Sequence, residues 1–211
     1  MKQIAFYFDS SACSGCKTCQ VACKDKHDLH GGILWRRVYE LCGGNWIKRK
    51  GAWIQNILSY HMSVACNHCE EAICIETCPN AAIVKDEKGI VLIDPDRCMG
   101  CRYCEWSCPY GALQFDHSKK LMTKCTLCAD YIEEGKDPAC VSACPMRALD
   151  WGDLEELRSK HGNNNEIYPL PEARHTRPAI VITPHRDSAR ANSRDLRVGN
   201  TEEVKPKTQS S

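Results

Sequence analysis

The sequence predicts an α+β fold with little regular secondary structure: two small metal-organised domains, one inserted in the other, followed by an extended C-terminal tail. Three observations predict it. Sixteen of the seventeen cysteines fall into four groups of four. Cysteine supplies 17 of the 211 residues, so the 43% hydrophobic content leaves only about 35% for all other apolar types, and Phe, Trp and Tyr together reach 7%. A core that thin needs a second organiser, and small domains commonly use metals for it. Finally, the first and last cysteine groups flank the two central ones, so a compact central unit sits inside an outer one.

Ile4 to Phe8 reads as a strand leading into Cys13, Cys16, Cys19 and Cys23, spaced C-x2-C-x2-C-x3-C. Residues 24–62 then form an insert without ligands. It holds Trp35, Trp46 and Trp53, read as packing residues, and Cys42, read as an inert thiol outside the quartets. With residues 119–160, residues 1–62 make the outer domain.

Residues 63–118 form the inserted domain. Cys66, Cys69, Cys74 and Cys78 give C-x2-C-x4-C-x3-C-P, and Cys98, Cys101, Cys104 and Cys108 give C-x2-C-x2-C-x3-C-P. The second spacing is that of a bacterial iron–sulfur run. Three thiolates at i, i+3 and i+6 curl around one face of a cubic cluster. Gly100 supplies the positive φ such a loop needs. Pro109 fixes φ after the fourth cysteine and turns it away, and in two-cluster ferredoxins that cysteine ligates the other cluster. The first quartet repeats this stretch: FDSSACSGCKTCQVAC stands beside IDPDRCMGCRYCEWSC, with Asp9 and Asp94 as turn caps and Gly15 matching Gly100. Residues 82–84 and 90–93, joined through Lys88-Gly89, read as a hairpin.

Cys125, Cys128, Cys140 and Cys144 complete the pattern as C-x2-C-x11-C-x3-C-P, with residues 135–138 bulging at the surface. After each Cys-Pro, Ala82-Ile83, Ala112-Leu113 and Ala148-Leu149 stand at one offset and begin a short strand. Residues 153–160 read as a helix with Asp153 at its start. Residues 161–211 are rich in Asn, Pro, Arg and Ser, and their one strong apolar run is Ala179 to Ile182. This stretch reads as a docking tail, with Arg174, Arg177, Arg186, Arg190, Arg194 and Arg197 facing acidic groups on a partner.

Several function classes are excluded. A formal charge of +1 carries no basic excess for nucleic acid. No apolar run approaches the roughly 20 residues of a membrane helix, so no direct membrane span is expected. The odd cysteine count, and the lack of a secretory signal before Cys13, argue against a disulfide framework. Phosphate-binding loops and dinucleotide fingerprints are missing, so no catalytic residue is assigned and the chain reads as non-catalytic. C-x2-C pairs also bind zinc, but C-x2-C-x2-C-x3-C-P is not a zinc spacing. A self-contained redox enzyme would need a flavin or substrate motif in the insert or tail, and neither has one. Soft anionic thiolates suit iron–sulfur clusters. Lys17, Arg97, Arg102, Lys124 and Arg147, each within three residues of a ligand, are candidates to raise a neighbouring potential. His68, inside the second quartet, reads as a surface or hydrogen-bonding residue.

Four quartets in this order, with CSGCKTCQVACKD, GGNW at 43–46, SVACNHC, CRYCEWSCPYGA, MTKC, CVSACPMRAL and EELRSKHG, resemble the iron–sulfur (B) electron-transfer subunits of anaerobic dimethyl sulfoxide reductases. These stand within the four-cluster ferredoxin-type subunits of molybdopterin oxidoreductases. The likeness runs to about Ala189. It implies two bacterial ferredoxin-like domains, one inserted in the other, and four [4Fe-4S] clusters with crossed ligation. The implied sets are Cys13, Cys16, Cys19 with Cys144; Cys125, Cys128, Cys140 with Cys23; Cys66, Cys69, Cys74 with Cys108; and Cys98, Cys101, Cys104 with Cys78. It further implies a molybdopterin-containing catalytic subunit, a quinol-oxidising membrane anchor subunit, and a peripheral place at the cytoplasmic membrane through those partners, on a side the sequence does not fix. Similar subunits serve other S-oxides, N-oxides, tetrathionate, polysulfide or selenate.

Overall fold

The computed structural model describes residues 2–191 and 196–204. Arg194, one of the tail arginines, lies outside them. Strand β1 (Ile4–Asp9) forms where expected. Its apolar run does not alternate with polar residues because both faces are covered, as in a buried central strand. Ile4, Phe6 and Phe8 enter the main core, while Ala5 and Tyr7 face a second cluster with Leu154, Leu157, Ala179 and Val181. The first cysteine loop leads into helix α1 (Thr18–Lys26), which carries Cys19 and Cys23.

The insert is a β structure. Strands β2 (Arg37–Gly43) and β5 (Leu58–Val64) pair antiparallel from Arg37↔Val64 to Gly43↔Leu58. Between them, β3 (Trp46–Arg49) and β4 (Ala52–Gln55) form a hairpin whose eight residues are all exposed. Trp46 and Trp53 are 60% and 65% exposed there, so of the three tryptophans read as packing residues only Trp35 packs, against the main core.

The central unit contains helix α2 (Ile73–Glu76), the expected hairpin β6 (Ile83–Lys85) and β7 (Val91–Ile93), and helix α3 (Tyr103–Ser107). Strands β8 (Gln114–Asp116) and β9 (Leu121–Thr123) form a further hairpin. It crosses the division expected at 118/119. Met122 on β9 is buried with Ala72, Ile83, Val91 and Leu113, so the core of this unit continues past that point.

Short helices α4 (Ala129–Glu133) and α5 (Ala139–Ser142) precede strand β10 (Leu149–Asp153). Helix α6 (Leu154–His161) begins as predicted, with the Asp153 carboxylate accepting from the backbone N–H of Glu155 and Glu156. Leu154 and Leu157, one turn apart, are its buried face.

The stretch after residue 161 is largely irregular, yet it is woven into the body. Strand β11 (Ile180–Thr183), the expected apolar run, pairs parallel with β1, giving the order β10-β1-β11. Strand β12 (Leu196–Val198) pairs antiparallel with β2, giving β12-β2-β5. Helix α7 (Thr201–Val204) follows. Asn200 fastens this end: its amide donates to Val38 O at 2.8 Å, and its oxygen accepts from Glu40 N at 2.9 Å. Among the described residues, three of the tail arginines pair within the chain. Arg177 bonds Glu70 and Glu71, Arg174 bonds Glu172, and Arg190 bonds Asp187.

The cysteine repeat is a repeat of backbone shape. Two residues after the first cysteine of each quartet, Gly15, His68, Gly100 and Leu127 all have positive φ, between 44° and 71°. Three residues after the cysteine of each Cys-Pro turn, Ala81, Gly111 and Arg147 have φ of 46°, 57° and 52°. Left-handed backbone costs an ordinary L-residue roughly 1–2 kcal/mol, so its recurrence on Ala, Arg, His and Leu marks a loop shape that the surroundings enforce.

Candidate metal centres

All seventeen cysteines are free thiols. Cys13, Cys16, Cys19 and Cys144 line one pocket of about 310 Å³, counting the part open to solvent. A second, of about 360 Å³, is lined by Cys66, Cys69, Cys74 and Cys108. Cys78, Cys98, Cys101 and Cys104 line a third, of about 300 Å³. Cys23, Cys125, Cys128 and Cys140 form the remaining group, close enough for their thiolates to repel one another. In each group three cysteines come from one loop quartet and one comes from another. Cys42 stands apart on β2, its thiol 3.8 Å from Arg197 O.

The groups are neighbours in space. Cys19, in the group closed by Cys144, feels Cys140 of the group closed by Cys23. Helix α1 packs on α5, bringing Cys19 and Cys23 beside Cys140. Cys125, beside Cys23, feels Cys66 of the group closed by Cys108. Helix α2, with Cys74, packs on α3, with Cys104, joining that group to the one closed by Cys78.

The loops hold this arrangement with short polar contacts. The Asp9 carboxylate accepts from the N–H of Ser11 and Ala12, and Asp94 accepts from Asp96 N, the turn-capping role expected of both. Gly15 and Gly100 have a second reason to be glycine. A Cβ would stand 2.3 Å from the His61 ring at the first and 2.4 Å from Lys120 O at the second.

The thiol environment fits a cluster better than a lone ion. Burial pushes the Cys13 and Cys69 thiols up to about 11, and those of Cys23, Cys74 and Cys104 to about 12. Cys16, the exposed one, is instead lowered, chiefly by the Thr18 hydroxyl at 3.3 Å. Buried thiolates persist when a cation takes their charge, as iron does. Zinc holds sulfur at about 2.3 Å. Among the described residues no three His, Cys, Asp or Glu side chains converge tightly enough for a single ion. Three of the groups instead ring a pocket from several sides, four sulfurs to each.

Of the basic residues singled out by sequence, only Lys124 is buried beside thiols. Its Nζ donates to Cys125 O at 2.8 Å and to Val91 O. Lys17 pairs with Glu40 and Glu203, Arg102 with Glu105, and Arg97 with Asn80 O, while Arg147 is exposed. His68 is buried rather than superficial. Its Nδ1 accepts from Val91 N at 3.0 Å, and burial, then the nearby Lys124 charge, hold it neutral. Two residues carry no sequence signal. Thr176, 1% exposed, lines the space around Cys69, where its hydroxyl works to lower the Cys69 thiol, and donates to the Tyr110 hydroxyl at 3.3 Å. Arg36 is buried between the group closed by Cys144 and the group closed by Cys23.

A 4Fe-4S dicluster domain model matches residues 57–154. Over 202 residues the protein is 48% identical to the B subunit of anaerobic dimethyl sulfoxide reductase from Escherichia coli, covering 96% of this chain and 98% of that one. It is 44% identical to the subunit of the same name from Haemophilus influenzae, over 97% of this chain and all of the relative. The thiosulfate reductase electron transfer subunit PhsB of Salmonella typhi is 36% identical over 82% of this chain and 88% of its own. Taken with the cysteine groups, these likenesses place the protein: it belongs to the family of iron–sulfur electron-transfer subunits represented by the B subunit of anaerobic dimethyl sulfoxide reductase.

Proposed function

We propose that the chain carries four [4Fe-4S] clusters and relays electrons, without catalysing a reaction itself, from a quinol-oxidising membrane anchor subunit to a molybdopterin catalytic subunit that reduces dimethyl sulfoxide or a similar S- or N-oxide. The observation that carries this reading is the gathering of sixteen thiols into four neighbouring groups, three of them around a shared pocket. The ligand sets are Cys13, Cys16, Cys19 and Cys144; Cys23, Cys125, Cys128 and Cys140; Cys66, Cys69, Cys74 and Cys108; and Cys78, Cys98, Cys101 and Cys104. A bound cluster supplies a one-electron carrier that changes little in geometry.

The protein's own residues do the rest. Apolar side chains such as Phe8, Val38 and Leu149 beside Cys144, and Val91 and Leu113 beside Cys108, keep water from the ligands. Lys124 and the loop amides offset thiolate charge. We read the architecture as two ferredoxin-like domains, the inserted one beginning near residue 63 inside an outer one closed by residues up to 160. The irregular stretch beyond 161 presents its exposed arginines to a partner. No helix among the described residues is long and apolar enough to cross a membrane, in keeping with a peripheral place at the cytoplasmic membrane through partner subunits. Dimethyl sulfoxide is the preferred substrate of the complex because relatives named for it are 48% and 44% identical, against 36% for the one named for thiosulfate.

Metal analysis tests the reading. Anaerobically purified protein should hold about sixteen iron and about sixteen sulfide, four of each per [4Fe-4S] centre. Saturation near half of that, or zinc in place of iron, overturns it.

A further inference from the structure

Arg36 stands just before β2 and is 3% exposed. Its backbone N–H lies close enough to the Cys23 thiol to lower it slightly against the rise caused by burial. Its Nη1 donates to Ser63 Oγ at 3.0 Å, and that hydroxyl lies 3.4 Å from Cys19 Sγ. The guanidinium lies over the Phe6 ring, 4.5 Å from its centroid. Yet Nε and Nη2, both fully buried, have no hydrogen-bond partner. Burial works against the charge, and the thiols of Cys140, Cys19, Cys125 and Cys23 work for it, leaving the guanidinium above its ordinary range. Cys19 belongs to the group closed by Cys144, and the other three share one group.

Proteins rarely leave a buried guanidinium unpaired. A buried charge without a partner is strongly destabilising, and Arg presents five N–H donors in a fixed fork suited to anionic acceptors. The anionic groups that act on this guanidinium are the thiols of Cys140, Cys19, Cys125 and Cys23. Among the described residues no carboxylate forms an ion pair with Arg36; its neighbours include Phe6, Cys19, Cys23, Ser63 and Cys140. A cation in that place stabilises whichever neighbouring centre has gained an electron.

We propose that Arg36 is a shared positioning residue for the two clusters of the outer domain, its Nε–H and Nη2–H donating to their sulfur and its fixed charge raising both reduction potentials together. This rests on the four-cluster reading. The cation makes a matched pair of adjacent centres out of two that are built from different loops.

The test is a redox titration of the full-length protein, followed by paramagnetic resonance, with Arg36→Gln and Arg36→Lys beside the parent. Two of the four centres should become harder to reduce in Arg36→Gln. At a fixed potential their reduced-to-oxidised ratio should fall at least tenfold, which is about 59 mV for a one-electron couple. The other two should not move, and Arg36→Lys, which keeps the charge but not the fork, should fall between. Unmoved potentials in both variants, an equal shift of all four centres, or failure of both variants to hold clusters would each overturn the proposal. Iron content of the parent separates the two levels. A parent short of four clusters sinks the underlying reading, whereas a full parent with unmoved variants sinks only the role of Arg36.

Discussion

Cys13 and Cys144 line one pocket although one belongs to the first quartet and the other to the last. The same exchange joins Cys108 to Cys66, Cys69 and Cys74, and Cys78 to Cys98, Cys101 and Cys104. Crossed ligation therefore predicts that Cys108→Ser and Cys104→Ser perturb different clusters. Paramagnetic resonance of the two variants should show two different signals altered. A single signal altered by both would mean that each quartet serves its own cluster.

Gly100→Ala should destabilise the inserted unit more than a comparable change elsewhere. Its φ is 69°, and a Cβ would meet Lys120 O at 2.4 Å, a backbone atom that cannot swing aside. Gly135 has a similar φ of 73° with nothing within 4 Å, so Gly135→Ala isolates the conformational cost of roughly 1–2 kcal/mol. Thermal unfolding should place Gly100→Ala well below Gly135→Ala. Equal melting temperatures would show that the loop relaxes around the added methyl.

Thr176 ties the stretch after residue 161 to the cysteine group closed by Cys108, lining its pocket beside Cys69 and donating to the Tyr110 hydroxyl at 3.3 Å. Thr176→Val removes that donor at nearly constant volume, and a lost hydrogen bond to a buried group costs about 1–3 kcal/mol. The expected result is a change in one cluster signal only, with the iron content kept. Truncation after Trp151 should do more, because it removes β11 from beside β1 and exposes Phe6 and Phe8. It should lower cluster occupancy as well as partner binding. A truncated protein with the full spectrum would show that this stretch serves docking alone.

Removing iron should unfold much of the protein. The apolar core is sparse, and cysteines of all four groups are themselves counted among its buried residues. Chelation under anaerobic conditions should abolish the far-ultraviolet signal of the short helices and strands, since metal-binding free energy is folding free energy in such domains. Retention of native-like dichroism after complete iron loss would contradict this.

The four loop quartets were legible because a cluster reads most of its ligands from local spacing, whereas the crossing of each fourth cysteine came only from the family resemblance; the strand β1, the hairpin β6–β7 and the Asp153-capped helix were legible in the same local way. Each depends on residues a few positions apart. Arg36 and Thr176 were not legible. They reach the thiols across the fold, Arg36 through Ser63 and Thr176 from the far end of the sequence, and no offset between residues records that proximity. The same limit hid β11 and β12. Ala179 to Ile182 was visibly apolar, but its parallel pairing with β1 is set by what surrounds it, not by its own composition. Trp46 and Trp53 misled in the opposite direction, since size and apolarity alone do not say whether a side chain is inside.

The position of β1 has a consequence for how the protein is made. Its two hydrogen-bonding neighbours, β10 and β11, are translated long after it, with the whole central unit in between. Strand β1 must wait unpaired through that synthesis, as must Cys13, Cys16 and Cys19 for Cys144. The central unit carries its own eight cysteines and its own core, so it closes during elongation. Assembly accordingly runs from the middle outward, and an interrupted translation product ending near residue 130 would hold a finished centre between two unfinished ends.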